Sequence, residues 1–309
     1  MPNWHEILND VHHSGSTNDI IRRKYISDLH EYTGRNVIVY YSGWLQKNRL
    51  PGLDFGISDA DKNGFMTVVH KLDRTKGLDL LLHTPGGDMA ATESLIAYLR
   101  SMFGNDIRAI IPQISMSGGA MIACACKEIV MGEQSNIGPF DPQLGGTPAQ
   151  AIIEDFKRAA VEMETNHAKA FVWQPILQKY NLGFFAQCEN AIAMADEVVK
   201  KSLVECMFAE DDDANSKAEA IVATLGSHAR TRMHARHIHR REAQDLGLKV
   251  VRLEDDAKLQ DAVLSIHHSV MITFEQTGAY KIIENHNGTS HMGLAQIAVP
   301  QIFSQPPSQ

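Results

Sequence analysis

Two stretches decide the fold: Leu-Asp-Leu-Leu-Leu-His-Thr-Pro-Gly-Gly-Asp at 78–88 and Ile-Ser-Met-Ser-Gly-Gly-Ala-Met at 114–121. In each, a mostly apolar run ends at a Gly-Gly turn, and a segment with helical character follows. Buried parallel strands give such runs, and a strand followed by a helix begins a βαβ unit. The two turns lie 30 residues apart (117 − 87), the length of one such unit. We therefore expect them side by side at one edge of a parallel sheet.

The same alternation continues outward from these stretches. Strands are predicted at 36–43, 78–83, 106–114 and 128–131, with helices between them at 64–72, 88–103 and 117–126. Right-handed crossovers then give an α/β fold, a parallel sheet of repeated βαβ units with helices on both faces. Helical additions are predicted in the polar segment 148–207 and at 216–225, 239–246 and 256–275. This divides the chain into an N-terminal helical arm at 1–33, one domain at 34–275 and a C-terminal tail at 276–309.

Composition narrows the functional class. The 309 residues are 44% apolar and 21% charged, which is ordinary for a globular protein. The net charge of −8 argues against a broad nucleic-acid surface. The four cysteines form no CxxC pair, which favours buried thiols in a reducing compartment. No secretory leader or long apolar run is visible, so we expect a cytoplasmic protein with no stable membrane span.

Ser117 follows the second strand directly and precedes two glycines. A lone Ser-Gly-Gly after a strand is usually only a turn. A second Gly-Gly turn beside it changes this interpretation, because ligands bind at the carboxyl edge of parallel sheets. Two adjacent Gly-Gly turns, one carrying serine, would place a nucleophile beside two backbone N–H groups able to hold an oxyanion.

Together with Asn-Ile-Gly-Pro-Phe-Asp-Pro-Gln at 136–143, these motifs resemble the Clp protease/crotonase superfamily. Within it the chain is similar to the signal peptide peptidase A-like enzymes, and in particular to the serine dehydrogenase proteinase (SDH) family. The resemblance covers about residues 30–255. It implies a Clp protease/crotonase-like fold and a serine endopeptidase that acts on protein or peptide substrates. It also implies assembly into a homo-oligomer, with activation by a partner protein as a further possibility.

The resemblance assigns roles residue by residue. It implies that Ser117 is the nucleophile and that the N–H groups of Gly87 and Gly118 form the oxyanion hole. It also implies that the turn and the 136–143 segment contact the substrate, through Gly86, Gly138, Pro139 and Asp141.

The general base is left open among three residues. Clp proteases carry a histidine where this chain has Asp141, which puts a Clp-type triad in doubt. Signal peptide peptidase-like enzymes use a lysine, for which Lys157 is the first candidate and Lys169 the second. The third candidate is His234, because its segment resembles the one in which Clp proteases carry the triad aspartate.

A metal site, an acyl-CoA enzyme and a non-catalytic scaffold are the alternatives to a serine peptidase. His228, His234, His237 and His239 have spacings of 6, 3 and 2 residues, which match no common zinc motif, so we expect no metal or cofactor. A crotonase-type acyl-CoA enzyme would share the oxyanion site but needs no serine. A catalytically inactive scaffold that binds peptides remains the other alternative.

Overall fold

The computed structural model describes residues 18–295. Its strands are β1 (Asn36–Ser42), β2 (Leu78–His83), β3 (Ile107–Ile111), β4 (Ile114–Ser115), β5 (Glu128–Met131), β6 (Asn136–Ile137), β7 (Gln143–Leu144), β8 (Thr147–Pro148), β9 (Ile238–His239), β10 (Val250–Arg252), β11 (Ala279–Asn285) and β12 (Ser290–Leu294). Seven of these form the central sheet, in the order β10-β5-β3-β2-β1-β11-β12. The strands from β10 to β1 pair in parallel, and β11 and β12 pair antiparallel.

The α-helices of the described residues are α1 (Asn18–Thr33), α2 (Trp44–Lys47), α3 (Asp59–Val69), α4 (Met89–Phe103), α5 (Gly118–Cys124), α6 (Ala149–Thr165), α7 (Ala170–Leu177), α8 (Phe184–Ser202), α9 (Ala214–Leu225), α10 (His228–Thr231), α11 (Arg240–Asp245) and α12 (Ala257–Gln276). The predicted α/β fold with repeated βαβ units and helical additions is confirmed. Within residues 18–295, no helix combines the length and the apolar character needed to cross a bilayer.

The central sheet is buried on both faces because its strands are apolar at nearly every position. Alternate side chains of a strand point to opposite faces. Leu80 and Leu82 of β2 therefore pack in the core that contains α3, α4, α5, α8 and α9. Leu81 packs in a second core, on the other face, with α1 and α12. Because β1, β2, β3 and β5 run parallel, their carboxyl ends lie at the same edge of the sheet, where β2 leads into the first Gly-Gly turn.

The end of the chain differs from the predicted tail. Residues 279–294 form β11 and β12, and β11 pairs antiparallel with β1. Ile282 and Ile283 are fully buried there. The buried carboxylate of Glu284 accepts hydrogen bonds from Arg22 and Arg23 of α1, at 2.6 and 2.7 Å. The described part of the predicted N-terminal arm is thus tied into the domain, while residues 1–17 and 296–309 lie outside the described residues.

Candidate active site

The two Gly-Gly turns lie side by side, as their spacing predicted. The N–H of Thr84 donates to the carbonyl of Ile114 at 3.3 Å, and the N–H of Met116 donates to the carbonyl of Thr84 at 3.0 Å. These bonds form a parallel bridge between Thr84 and Ser115. The two chains then stay in contact through the turns: a Cβ added to Gly86 would lie 2.5 Å from the Cβ of Ser117. Only glycine fits at position 86 at this distance.

Ser117 has a backbone conformation that is rare for a residue with a side chain. Its φ is 49° and its ψ is −117°, in the turn between β4 and α5. Such a conformation costs on the order of 1–3 kcal/mol, and it is maintained only where the surrounding structure requires it. A sharp strand-to-helix turn of this kind projects a nucleophile from the end of a sheet. Close packing at Gly86 and Gly118 supports the turn, since a Cβ on Gly118 would lie 2.6 Å from Thr92 Oγ1.

The N–H groups of Gly87 and Gly118 are among those of the turns that are left for a ligand. The neighbouring amides are used: Gly86 donates to Thr84 Oγ1, Asp88 to the carbonyl of Ile57, and Gly119 to the carbonyl of Met116. In the parallel bridge between Ile57 and Gly87, the bonds are made by the residues on either side of Gly87. Gly118 is the first residue of α5 and has no acceptor within the helix. Among residues 18–295, the amides of Gly87 and Gly118 therefore have no hydrogen-bond acceptor.

A second, small sheet brings three chain segments to the same place. β4 pairs in parallel with β6, with Ser115 opposite Ile137, and β6 pairs antiparallel with β9, with Ile137 opposite Ile238. Ser117 follows β4, Asp141 follows β6, and His234 precedes β9. Since β9 runs in the opposite direction, all three residues lie beyond the same end of this sheet.

Asp141 and His234 form a carboxylate–imidazole pair. The side chain of Asp141 is only 2% exposed, and its Oδ1 accepts a hydrogen bond from His234 Nδ1 at 2.9 Å. Its Oδ2 accepts bonds from His228 Nδ1 at 3.3 Å and from Gln143 Nε2 at 3.1 Å. A hydrogen bond at Nδ1 fixes the tautomer of a neutral imidazole, so that Nε2 is the nitrogen free to accept a proton.

His234 and Ser117 line the same cleft, which has a volume of about 450 Å³. Pro85, Gly87 and Asp88 of the first turn form part of its wall. The remaining lining comes from the segment after β6 and from two helices: Met89, Ala90, Phe140, Pro142, Gln143, Leu144, Ala191 and Met194. Serine, imidazole and buried carboxylate, with two free amides beside the serine, are the groups required for acyl transfer through a covalent intermediate.

At the end of β2, burial favours the neutral form of a histidine. His83 is the last residue of β2 and is completely buried against Trp44, with ring centroids 4.4 Å apart. Burial, and then the neighbouring His267, lower the pKa of His83 well below its usual value. Burial also lowers the pKa of His267 to about 3, and His268 adds to this effect. Burial therefore favours the neutral form of both His83 and His267.

The two candidate lysines lie away from the cleft that contains Ser117. Lys157 is exposed on α6 and lines a separate cavity of about 270 Å³ formed by α6, α8 and α9. Lys169 is 49% exposed, and its Nζ lies 3.7 Å from Glu162. Lysine needs burial for its pKa to fall into the range of a general base.

The four predicted substrate contacts lie at different depths. Gly86 packs against Ser117, as described above. Gly138 packs against Met116, where a Cβ would lie 2.5 Å from Met116 Cε. Pro139 is buried, and Asp141 lies beneath His234. The residues of the segment that line the cleft are instead Phe140, Pro142, Gln143 and Leu144.

The role of Asp141 as partner of His234 was missed from the sequence, although a signal was present. Asp141 occupies the place of the Clp histidine, and His234 lies near the place of the Clp aspartate. Taken together, these two differences from the Clp pattern indicate that histidine and aspartate have swapped positions, and this swap points to the pair. Of the four clustered histidines, His228 and His234 meet at Asp141. No group of three or more His, Cys, Asp or Glu residues suited to a metal ion occurs between residues 18 and 295.

Comparison with known proteins gives two results. Two proteins of Methanocaldococcus jannaschii are similar to part of the chain: Uncharacterized protein MJ0137 is 36% identical over 98 residues, and Uncharacterized protein MJ1495 is 35% identical over 102 residues. These stretches are 32% and 33% of this chain, and 34% and 35% of the relatives, so the chain spans about a third of the length of the curated relatives it matches. A family model described as ClpP-like SDH-type serine proteinase matches residues 55–252, which include both turns, Asp141 and His234. The chain therefore belongs to the family of ClpP-like SDH-type serine proteinases.

Proposed function

We propose that the protein is a serine endopeptidase with Ser117 as nucleophile, His234 as general base and Asp141 as the carboxylate that orients His234. One observation carries the proposal. His234, hydrogen-bonded to a buried carboxylate, lines the same cleft as a serine in a strained strand-to-helix turn. Family membership supports a serine proteinase in general, and this geometry supports the residue assignment.

The proposed reaction proceeds in two halves. His234 Nε2 takes the proton of Ser117 Oγ while Oγ bonds to the peptide carbonyl carbon. The N–H groups of Gly87 and Gly118 then donate to the resulting oxyanion. The imidazolium gives its proton to the amide nitrogen, the C–N bond breaks, and the amine leaves an acyl-enzyme. Water, deprotonated by His234, attacks the acyl carbon, and the proton returns to Ser117 when the acid is released.

In this assignment the base and the carboxylate have exchanged places along the chain, compared with Clp proteases. The chain order becomes serine, aspartate, histidine, the order found in α/β-hydrolases. The proposal requires only that His234 reaches the cleft and that the buried Asp141 holds it, both at the same end of the β6–β9 pair. Lys157 and Lys169 take no part in it, since both are exposed and lie outside the cleft.

A homo-oligomer stays part of the proposal. The helical addition exposes large apolar side chains around α7: Phe171 is 85% exposed and Leu182 is fully exposed, with Val172 and Ile176 nearby. An apolar group of this kind favours contact with another protein surface. A cytoplasmic location and an activating partner remain predictions from the sequence.

The test of the function is covalent labelling by a fluorophosphonate, which reacts with activated serines. We expect the wild-type protein to be labelled on a peptide that contains Ser117. The Ser117→Ala variant should lose the label, whereas Ser101→Ala, at an exposed serine of α4, should keep it. Labelling that persists in folded Ser117→Ala protein would contradict the proposal, and would leave the peptide-binding scaffold as the better account. An acyl-CoA enzyme would be supported by thioester turnover that does not require Ser117.

A further inference from the structure

A second cavity continues from the catalytic cleft along two helices. It has a volume of about 400 Å³ and lies between α4 and α8. Met194 of α8 lines both cavities. On α4 the lining passes from Met89 and Ala90, in the cleft, to Glu93, Ile96, Ala97 and Arg100, in the second cavity. The lining residues repeat at intervals of three and four, which is the spacing of one helix face.

The two cavities together form a groove long enough for several residues of polypeptide. From Ala90 to Arg100, α4 rises by about 15 Å at about 1.5 Å per residue. An extended peptide advances about 3.3 Å per residue, so the groove accommodates about four or five residues beyond the scissile bond. We name the second cavity the distal groove. It lies between Glu93–Arg100 of α4 and the segment Met194–Glu205, which extends just beyond the end of α8.

The distal groove combines an apolar floor with an acidic rim. Ile96 and Val198 are 6% and 8% exposed and form part of the floor. Glu93 and Glu197 are exposed and, among residues 18–295, have no ion-pair partner. Arg100 already binds the Glu205 carboxylate at 3.2 Å. Lys201 is the remaining cation of the lining, so the carboxylates without a partner outnumber it.

We propose that the distal groove binds the polypeptide substrate away from the scissile bond and selects a lysine or arginine side chain there. Such a side chain suits both parts of the groove, because its methylene stem covers apolar surface while its charged head stays in water. Glu93 and Glu197 bind the charged head. The inference rests on the proposed peptidase function, and it adds a preference that neither the nucleophile nor its base determines.

The test measures binding, so that it does not depend on turnover. Full-length Ser117→Ala protein is titrated into fluorescein-labelled peptides of about ten residues, identical except for one central Lys, Gln or Glu. We expect the Lys peptide to bind more tightly than the Gln peptide, and the Glu peptide to bind least tightly. Exposed ion pairs contribute about 0.2–1 kcal/mol each, so the preference should be about 1.5- to 5-fold per carboxylate. It should shrink at about 1 M salt.

Matched variants assign the preference to the groove. Glu93→Gln with Glu197→Gln should abolish the difference between the Lys and Gln peptides, whereas Glu189→Gln should leave it unchanged. Glu189 is exposed on the same helix, α8, but lines neither cavity. Ala97→Trp should weaken binding of all three peptides by filling the groove, and Ala193→Trp, at an exposed position outside it, should not.

Equal affinities for the three peptides, or a preference that survives the double substitution, would overturn the inference. Either result would leave the catalytic proposal intact, because labelling of Ser117 tests that separately. Absence of labelling in the folded wild-type protein, with the peptide preference retained, would instead contradict the catalytic proposal alone.

Discussion

The two halves of the candidate site are built in different ways. The nucleophile half, at 78–121, consists of consecutive strand, turn and helix segments whose geometry is local. The acid–base half joins Asp141 to His234 across 93 residues, through the short pairings of β4, β6 and β9. The first half follows from the strand and turn chemistry of one stretch of sequence. The second exists only when the long helical insertion at 149–225 has folded and returned the chain to the sheet.

The largest effect should come from Asp141→Asn, which breaks the acid–base half alone. An amide at this position can donate to His234 Nδ1 and so favour the wrong tautomer, with the proton on Nε2. In a comparable triad this change lowers kcat about 10⁴-fold, and we expect a similar fall in the rate of fluorophosphonate labelling. Urea unfolding should verify that the variant is folded. A labelling rate within a few-fold of wild type would show that the pair does not activate Ser117.

The next effect tests the nucleophile half. Gly86→Ala introduces a Cβ at a φ of 94°, 2.5 Å from the Cβ of Ser117. We expect a loss of on the order of 1–3 kcal/mol in the free energy of unfolding, together with slower labelling because the serine is displaced. Gly145→Ala is the matched control: its φ is also positive, at 59°, but nothing lies within 4 Å of the new Cβ. If both variants labelled at the wild-type rate, the contact between the turns would not position the nucleophile.

A smaller effect is expected from His228→Ala, which removes one of the three hydrogen bonds to Asp141. A single hydrogen bond contributes about 0.5–1.5 kcal/mol, so labelling should slow by about 2- to 13-fold. His228→Asn, which keeps a donor near Oδ2, should recover part of the loss. An effect as large as that of Asp141→Asn would instead make His228, and not His234, the better candidate for the base.

The nucleophile half could be predicted from the sequence because each of its steps is local. Gly87, Ser117 and Gly118 follow strands with unmistakable apolar runs, and the 30-residue spacing places them together. The pairing of Asp141 with His234 could not be predicted from local patterns, because it depends on the register of two-residue strands that carry no periodic signal. Its one signal in the sequence is the pair of differences from the Clp pattern at these two positions. The contribution of α8 to the cleft was missed because it depends on how this helix packs against the core of the sheet. β11 was missed because a polar, glycine-containing segment follows it and masks the buried run of Ile282 and Ile283.

A further effect, on acid stability and not on the rate of labelling, is expected at His267. The pKa of His267 is about 3 when buried, against about 6.5 in an unfolded chain. The unfolded state therefore takes up a proton as the pH falls below 6.5, while the folded state does not until about pH 3. His267 thus costs stability progressively below pH 6.5, by about 2 kcal/mol at pH 5. His267→Phe should reduce the fall in unfolding free energy between pH 7 and 5 by that amount, and His70→Gln, at an exposed histidine, should not. If the unfolding free energy of His267→Phe fell between pH 7 and 5 as much as that of the wild type, His267 would take up a proton in the folded protein as readily as in the unfolded chain.

The central claim, that the acid–base half activates the nucleophile, is tested most directly by the rate of fluorophosphonate labelling in two variants measured together. His234→Gln removes the proposed base, and Lys157→Gln removes the lysine alternative. General base catalysis contributes about 10²- to 10⁴-fold. The account predicts that His234→Gln slows labelling of Ser117 within that range while Lys157→Gln leaves it unchanged. Slow labelling in Lys157→Gln, with a wild-type rate in His234→Gln, would contradict it.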